Sequence, residues 1–105
     1  MKLINLTPHD ITFADGTVIP ASGSIARVSV SQTDDGDING IPVKKQVFGD
    51  IVGLPDSADD TVYIVSSIVL SAAKAIGRTD VVAPDTSNAI RDDKGHIVAV
   101  PALVR

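Results

Sequence analysis

The apolar positions of Thr61–Pro84 change period twice. Thr61–Val65 is a run of β-branched and aromatic residues, which fits a buried strand. Ser66–Ile76 then reads as a short helix. Ser66 or Ser67 can accept a hydrogen bond from an exposed N–H at its start, and Gly77 can take the left-handed conformation that ends it. Asp80–Ala83 is a second strand. On the helix, Ser67, Ser71, Lys74 and Arg78 make one narrow polar stripe, whereas Ile68, Val69, Leu70, Ala72, Ala73, Ala75 and Ile76 are apolar. A helix apolar around most of its circumference is packed on two sides. In a chain this small the second cover is expected from another subunit. The sequence therefore predicts a homo-oligomer, most simply a dimer, with Ser66–Gly77 near the contact. A plain core helix beneath a sheet uses the same pattern.

Elsewhere short apolar runs alternate with turn signals. Lys2–Leu6 is a strand and Thr7–Asp10 a turn. Ile11–Phe13 and Thr17–Ile19 flank Asp15-Gly16, a hairpin signal. Ser24–Thr33 alternates except that Ile25 falls out of phase, which predicts a bulge or twist near Arg27-Val28. Asp34-Asp35-Gly36-Asp37 reads as an acidic loop; it lacks the twelve-residue calcium pattern with its closing glutamate. Asn39-Gly40 between Ile38 and Ile41 is a strong hairpin turn. Ile41, Val43, Val47 and Ile51 mark the next strand, which Gly53-Leu54-Pro55-Asp56 closes. Pro84–Asn88 is a polar loop, and Ala89–Arg91 and His96–Val100 flank the turn Asp92–Gly95. Pro101 ends the pairing. The expected fold is a single α+β domain over residues 1–105, with one mixed, mostly antiparallel sheet and one main helix at about Ser66–Ile76.

Composition narrows the function. The chain has 105 residues, 44% of them hydrophobic, which marks a folded domain. Its only aromatics are Phe13, Phe48 and Tyr63, so the core is aliphatic. No apolar run approaches the roughly 20 residues that span a bilayer, and the apolar start before Pro8-His9-Asp10 is too short for a signal peptide. There is no cysteine, hence no disulfide or thiolate site. The formal net charge is −4, with nine Lys and Arg scattered along the chain. A nucleic-acid binder needs a clustered basic face or a stacking platform. The expectations are a cytoplasmic protein with no membrane or nucleic-acid partner, no metal and no cofactor.

Several motifs together carry a resemblance. Asn5-Leu6-Thr7-Pro8-His9, Gly53-Leu54-Pro55, Tyr63-Ile64-Val65-Ser66, Arg78-Thr79-Asp80-Val81-Val82-Ala83-Pro84-Asp85 and Ile90-Arg91-Asp92 followed by Gly95 and Ile97 run nearly end to end. In this combination the chain resembles a family of small proteins of tailed bacteriophages and prophages. The resemblance implies a phage setting, with the host cytoplasm as compartment, and no particular chemistry. Phages also encode small stable oligomers that sequester the nucleotide second messengers of bacterial immunity, a likeness of size and setting only.

The candidate ligand residues are the polar groups of loops and strand ends: Thr7, His9, Ser66, Ser67, Arg78, Thr79, Asp80, Asp85 and Arg91. Ser66-Ser67 opens a helix whose free N–H groups favour an anion, or else simply caps it. His9 is a ligand donor or a base, or satisfies the backbone of its own turn. Arg78 and Arg91 suit bidentate phosphate binding. They suit equally a helix terminus or a local pair with Asp80 or Asp92. Ser66, His9 and Asp80 could be assembled into a hydrolase triad, but the nucleophile-elbow pattern is missing and no enzyme is expected. Two functions remain: capture of a small anionic nucleotide-like molecule, and a non-enzymatic interaction or structural role in an oligomer or on a host protein.

Overall fold

The computed structural model describes residues 1–105. In chain order its elements are β1 (Lys2–Asn5), β2 (Ile11–Thr12), β3 (Val18–Ile19), β4 (Arg27–Ile38), β5 (Ile41–Val52), β6 (Thr61–Ile64), α1 (Ser67–Ala75), β7 (Val81–Pro84), β8 (Ile90–Arg91), β9 (Ile97–Ala99) and β10 (Leu103–Val104). The Thr61–Pro84 stretch folds as the β–α–β unit its periods predict. β6 and β7 lie side by side and parallel, with Tyr63 opposite Val81 and Ile64 opposite Val82. β1 adds to β6, also parallel, and β10 closes the other edge antiparallel to β7.

Because side chains alternate along a strand, this sheet feeds two cores. Tyr63, Val65, Val81 and Ala83 join Leu6, Ala26 and the inner face of α1, namely Val69, Leu70 and Ala73. Ile64 and Val82 point the other way and pack with Ile11 and Val100. Covering on both sides explains why these strands read as continuous apolar runs. At the start of α1 the Ser66 Oγ accepts from the Val69 N–H at 3.4 Å. At its end Gly77, at φ 85°, donates to the Lys74 carbonyl, and the Arg78 N–H reaches the Ala73 carbonyl at 2.9 Å. This is the paired closure that a left-handed glycine allows. The outer face of α1 is bare, with Ile68 55% and Ile76 69% exposed.

The α+β class holds, but the antiparallel pairing is not gathered into one sheet. It is divided among three hairpins, β2–β3, β4–β5 and β8–β9, while the central sheet is parallel except for β10. Leu103–Val104, beyond Pro101, supplies that last strand. The turns fall where the glycines put them. Asp15-Gly16 joins β2 to β3, and Asn39 and Gly40, at φ 52° and 81°, join β4 to β5. The acidic stretch Asp34–Asp37 is not the loop its composition predicts. It lies inside β4, at a shift in register, and Asp34 pairs with Lys44 across the ribbon. A bulge accommodates Gly36 at φ 81° without ending the strand. Ile25 precedes β4, and the second irregularity falls between Val28 and Val30.

β4 and β5, twelve residues each, form a two-stranded arm. Only its base is anchored: Val28 and Ile51, directly opposite one another, pack against the core. The arm makes the molecule 50 × 39 × 22 Å, with a radius of gyration of 16.3 Å, against about 13 Å for a compact chain of this length. No helix is long and apolar enough to cross a membrane.

The loop from the arm back to β6 is tied down at several points. Gly53 has φ 88°, and a Cβ there would sit 2.4 Å from the Ile25 carbonyl oxygen, so only glycine fits. Leu54 packs on the core. The Pro55 carbonyl accepts from Arg78 Nη2 at 2.9 Å, and the Tyr63 hydroxyl donates to the Asp56 carbonyl at 3.1 Å.

Candidate functional site

Three parallel strands end at the same edge of the sheet, and each is followed by a polar segment. β1 leads into Thr7–Asp10, β6 into Ser66-Ser67, and β7 into Thr86. Ligands of open α/β sheets lie at the carboxyl ends of the strands. Here that edge opens on a cleft of about 430 Å3, a size ordinary for small-molecule sites. Thr7, His9, Asp10, Thr12, Ser66, Ser67 and Thr86 supply its polar lining, and Ile11, Pro84 and β9 its apolar wall.

The turn after β1 is organised by Asn5, which is 1% exposed. Its Nδ2 donates to the carbonyls of His9 and Ile19, at 2.9 and 3.1 Å. Its Oδ1 accepts from the Thr7 N–H at 2.9 Å and from the Thr7 hydroxyl at 2.6 Å. Asparagine followed two residues on by such an acceptor contact is the side-chain mimic of a backbone turn. Asp10 contributes by accepting from the Ala21 N–H at 2.9 Å. The backbone of the turn is thereby satisfied without the His9 imidazole, which is exposed, makes no hydrogen bond in the protein and lines the cleft.

At the same cleft α1 presents its N-terminus, through Ser66 and Ser67. The N–H groups of Ser67 and Ile68 have no backbone acceptor, as the first turn of a helix requires. The partial positive charge of the helix end is at the same place. Ser66 Oγ is the cap, so the two serines divide their roles: Ser66 closes the helix, and the Ser67 hydroxyl has no protein partner. The cleft can therefore offer backbone donors, free hydroxyls and an imidazole to a polar head, with Ile97 and Val98 against its body.

The other candidate residues lie elsewhere. Arg78, Thr79 and Asp80 precede β7, at the end of the strand away from the cleft. The Arg78 guanidinium grips Asp80 with two prongs, Nε to Oδ1 at 2.8 Å and Nη2 to Oδ2 at 2.9 Å. Both side chains are mostly buried. The hydrogen bond from Arg78 holds the Asp80 carboxyl below the ordinary carboxylate range, against the opposing effect of burial. Arg78 and Thr79 also border a recess with Lys74 and Arg105, at the negative end of α1. Asp85 accepts from the Asn88 side chain at 3.0 Å, between two residues of the cleft but not lining it. Arg91 donates to the Gly95 carbonyl at 2.8 Å and closes its own hairpin. Ser66 and His9 share the cleft, but Asp80 is not with them, so that triad does not form.

Asn5 is not among the residues singled out by type and loop position, and its Asn-x-Thr spacing is the signal that marks it. Thr12 on β2 and Ile97 and Val98 on β9 complete the lining and are not among the sequence candidates. Nothing local marks Ile97 and Val98, because the β8–β9 hairpin comes to the cleft through tertiary folding, with Phe13 and Val100 bridged and the Val100 N–H donating to the Thr12 carbonyl at 2.9 Å. No protein-family model, curated protein or solved structure matches the chain.

Proposed function

We propose that this chain is a small phage-encoded binding protein that captures an anionic, nucleotide-like ligand in the cleft at the carboxyl end of β1, β6 and β7. It would act in the host cytoplasm as a sponge for a nucleotide second messenger. The observation that carries the reading is the free imidazole of His9. Asn5 and Thr7 hold the turn, so His9 has no structural duty there, yet it lines the cleft together with Ser67, whose N–H and hydroxyl have no protein partner. The anionic group would meet the amide and hydroxyl of Ser67 at the helix start, and the body of the ligand would lie against Ile97 and Val98. The recess beside Arg78 is the weaker place for it. The Arg78 guanidinium is already engaged by Asp80 and Pro55, and the helix dipole there opposes an anion.

Calorimetry with cyclic nucleotides, cyclic dinucleotides and ADP-ribose derivatives tests the proposal on the wild type and His9→Ala. Charge-assisted hydrogen bonds contribute about 1.5–3 kcal/mol each, so His9→Ala should weaken binding by roughly ten- to over a hundred-fold. No heat from any of these ligands with the wild type would rule capture out. The second reading, a non-enzymatic interaction or structural protein, would then lead. The specific observation in its favour is the β4–β5 arm, which nothing in the chain covers beyond its base.

A further inference from the structure

From Arg27 to Asp60 no residue is buried, although this segment carries Val30, Ile38, Ile41, Val47, Phe48 and Val52, each more than two-fifths exposed. A lone two-stranded ribbon is marginal in water, and stability comes with a third strand or a packed face. Both outer edges of this ribbon are unpaired. The rung above the anchored Val28–Ile51 pair is Val30 opposite Phe48, about half exposed on both sides, so the apolar surface of the core continues out along the arm.

The two edges differ in charge. β4 carries Asp34, Asp35 and Asp37 with Arg27 at its base, and β5 carries Lys44 and Lys45 with Asp50 towards its base. Toward the tip, then, one edge is acidic and the other basic. Pairing β4 with a second β4, or β5 with a second β5, gathers like charge into one sheet. Pairing β4 with β5 nearly balances it, as Asp34 and Lys44 already do within the chain.

We propose that the arm is an assembly surface whose occupant is a second copy of this chain, with the acidic edge of β4 in one copy added to the basic edge of β5 in the next. The proposal does not depend on what the cleft binds. Added in the alternation the ribbon already has, neighbouring arms point the same way and form one continuous antiparallel sheet. Such a contact uses two different surfaces, so it closes only by going round a ring. A ring of three or more copies leaves no edge unpaired, as in any closed sheet.

Native mass spectrometry and sedimentation at high micromolar concentration test this on the full chain. The wild type should have a mass of three or more 10.9 kDa chains. Two variants reverse charge at exposed positions and spare the Asp34–Lys44 pair. Asp35→Lys with Asp37→Lys makes the arm basic, and Lys45→Glu with Gln46→Glu makes it acidic. Each alone should lose the ring while keeping the circular dichroism of the wild type, and an equimolar mixture should assemble again with both chains in one particle. A wild-type monomer would overturn the proposal and make the charges edge protection. So would a dimer, or an assembly whose mass neither reversal changes. If either variant fails to fold, salt titration of the wild type decides: the ring should dissociate towards molar salt, and a mass constant across that range overturns the proposal.

Discussion

The guanidinium of Arg78 meets both oxygens of Asp80 and the carbonyl of Pro55, and so joins the start of β7 to the loop that leaves the arm. The side chains are 20% and 16% exposed, which puts the pair between a surface bridge and a buried one. Exposed pairs contribute about 0–1 kcal/mol, and breaking a buried one costs about 3–5 kcal/mol. Arg78→Ala is therefore expected to lose about 2–3 kcal/mol of stability in urea unfolding and to leave binding at the cleft unchanged. Loss of ligand heat at unchanged stability would return Arg78 to the binding site. The acid response has a definite sign. Arg78 depresses the folded-state pKa of Asp80. The stabilisation is thus complete above the unfolded carboxylate value near 3.9, and is lost as pH falls from there through the lower folded value. As pH falls below that unfolded value the wild type should lose stability faster than Asp80→Asn, which has no proton to take up. Parallel pH profiles would mean that the pair contributes nothing. Arg78, Thr79 and Asp80 share with His9 the residue types and loop positions that a sequence displays. What separates Arg78 from His9 is occupancy: the partners of Arg78 come from residues 55 and 80, whereas Asn5 has freed His9.

Among the elements, those fixed by local rules were legible. α1 follows from Ser66, Gly77 and the apolar positions between them. The β2–β3, β4–β5 and β8–β9 hairpins follow from Asp15-Gly16, Asn39-Gly40 and Gly95. What escaped was pairing between distant segments, such as β1 beside β6 and β10 beside β7. No periodicity says which strand edges will meet. Asp34–Asp37 has the composition of a loop yet lies in a strand for a related reason: a bulge keeps residues of low strand propensity in register. The turn at Asn39-Gly40 gives a test at this scale. Valine in place of Gly40 must take a positive φ, at about 1–3 kcal/mol of strain. With no buried residue in the arm, that strain should remain local. Gly40→Val is expected to speed hydrogen exchange of the amides around Ile38 and Ile41 and to shift the global unfolding midpoint very little. A loss of the full strain energy from global stability would show that the arm and body unfold as one unit.

At the scale of the whole molecule, the chain divides into a body that holds both cores and the cleft and an arm that holds neither. The division can be tested by shortening the arm. Ser31 and Val47 face each other directly across the ribbon, so replacing Gln32–Gln46 with a two-residue Asn-Gly turn keeps the strands in phase. It also keeps Val28, Val30, Phe48 and Ile51, the rungs nearest the core. The shortened chain removes no buried residue and neither neighbour of the Arg78–Asp80 clamp, Pro55 or Tyr63. Its melting temperature is expected to stay within about 4–8 °C of the wild type, the shift that corresponds to roughly 1 kcal/mol in a domain of this size. Any ligand heat measured with the wild type should be unchanged, and sedimentation should report a monomer if the proposed ring is right, because the acidic and basic edge residues are gone. Retained assembly would move the contact to the outer face of α1, where Ile68 and Ile76 are exposed. Failure to fold would show that the distal arm supports the body, and that the two are one cooperative structure.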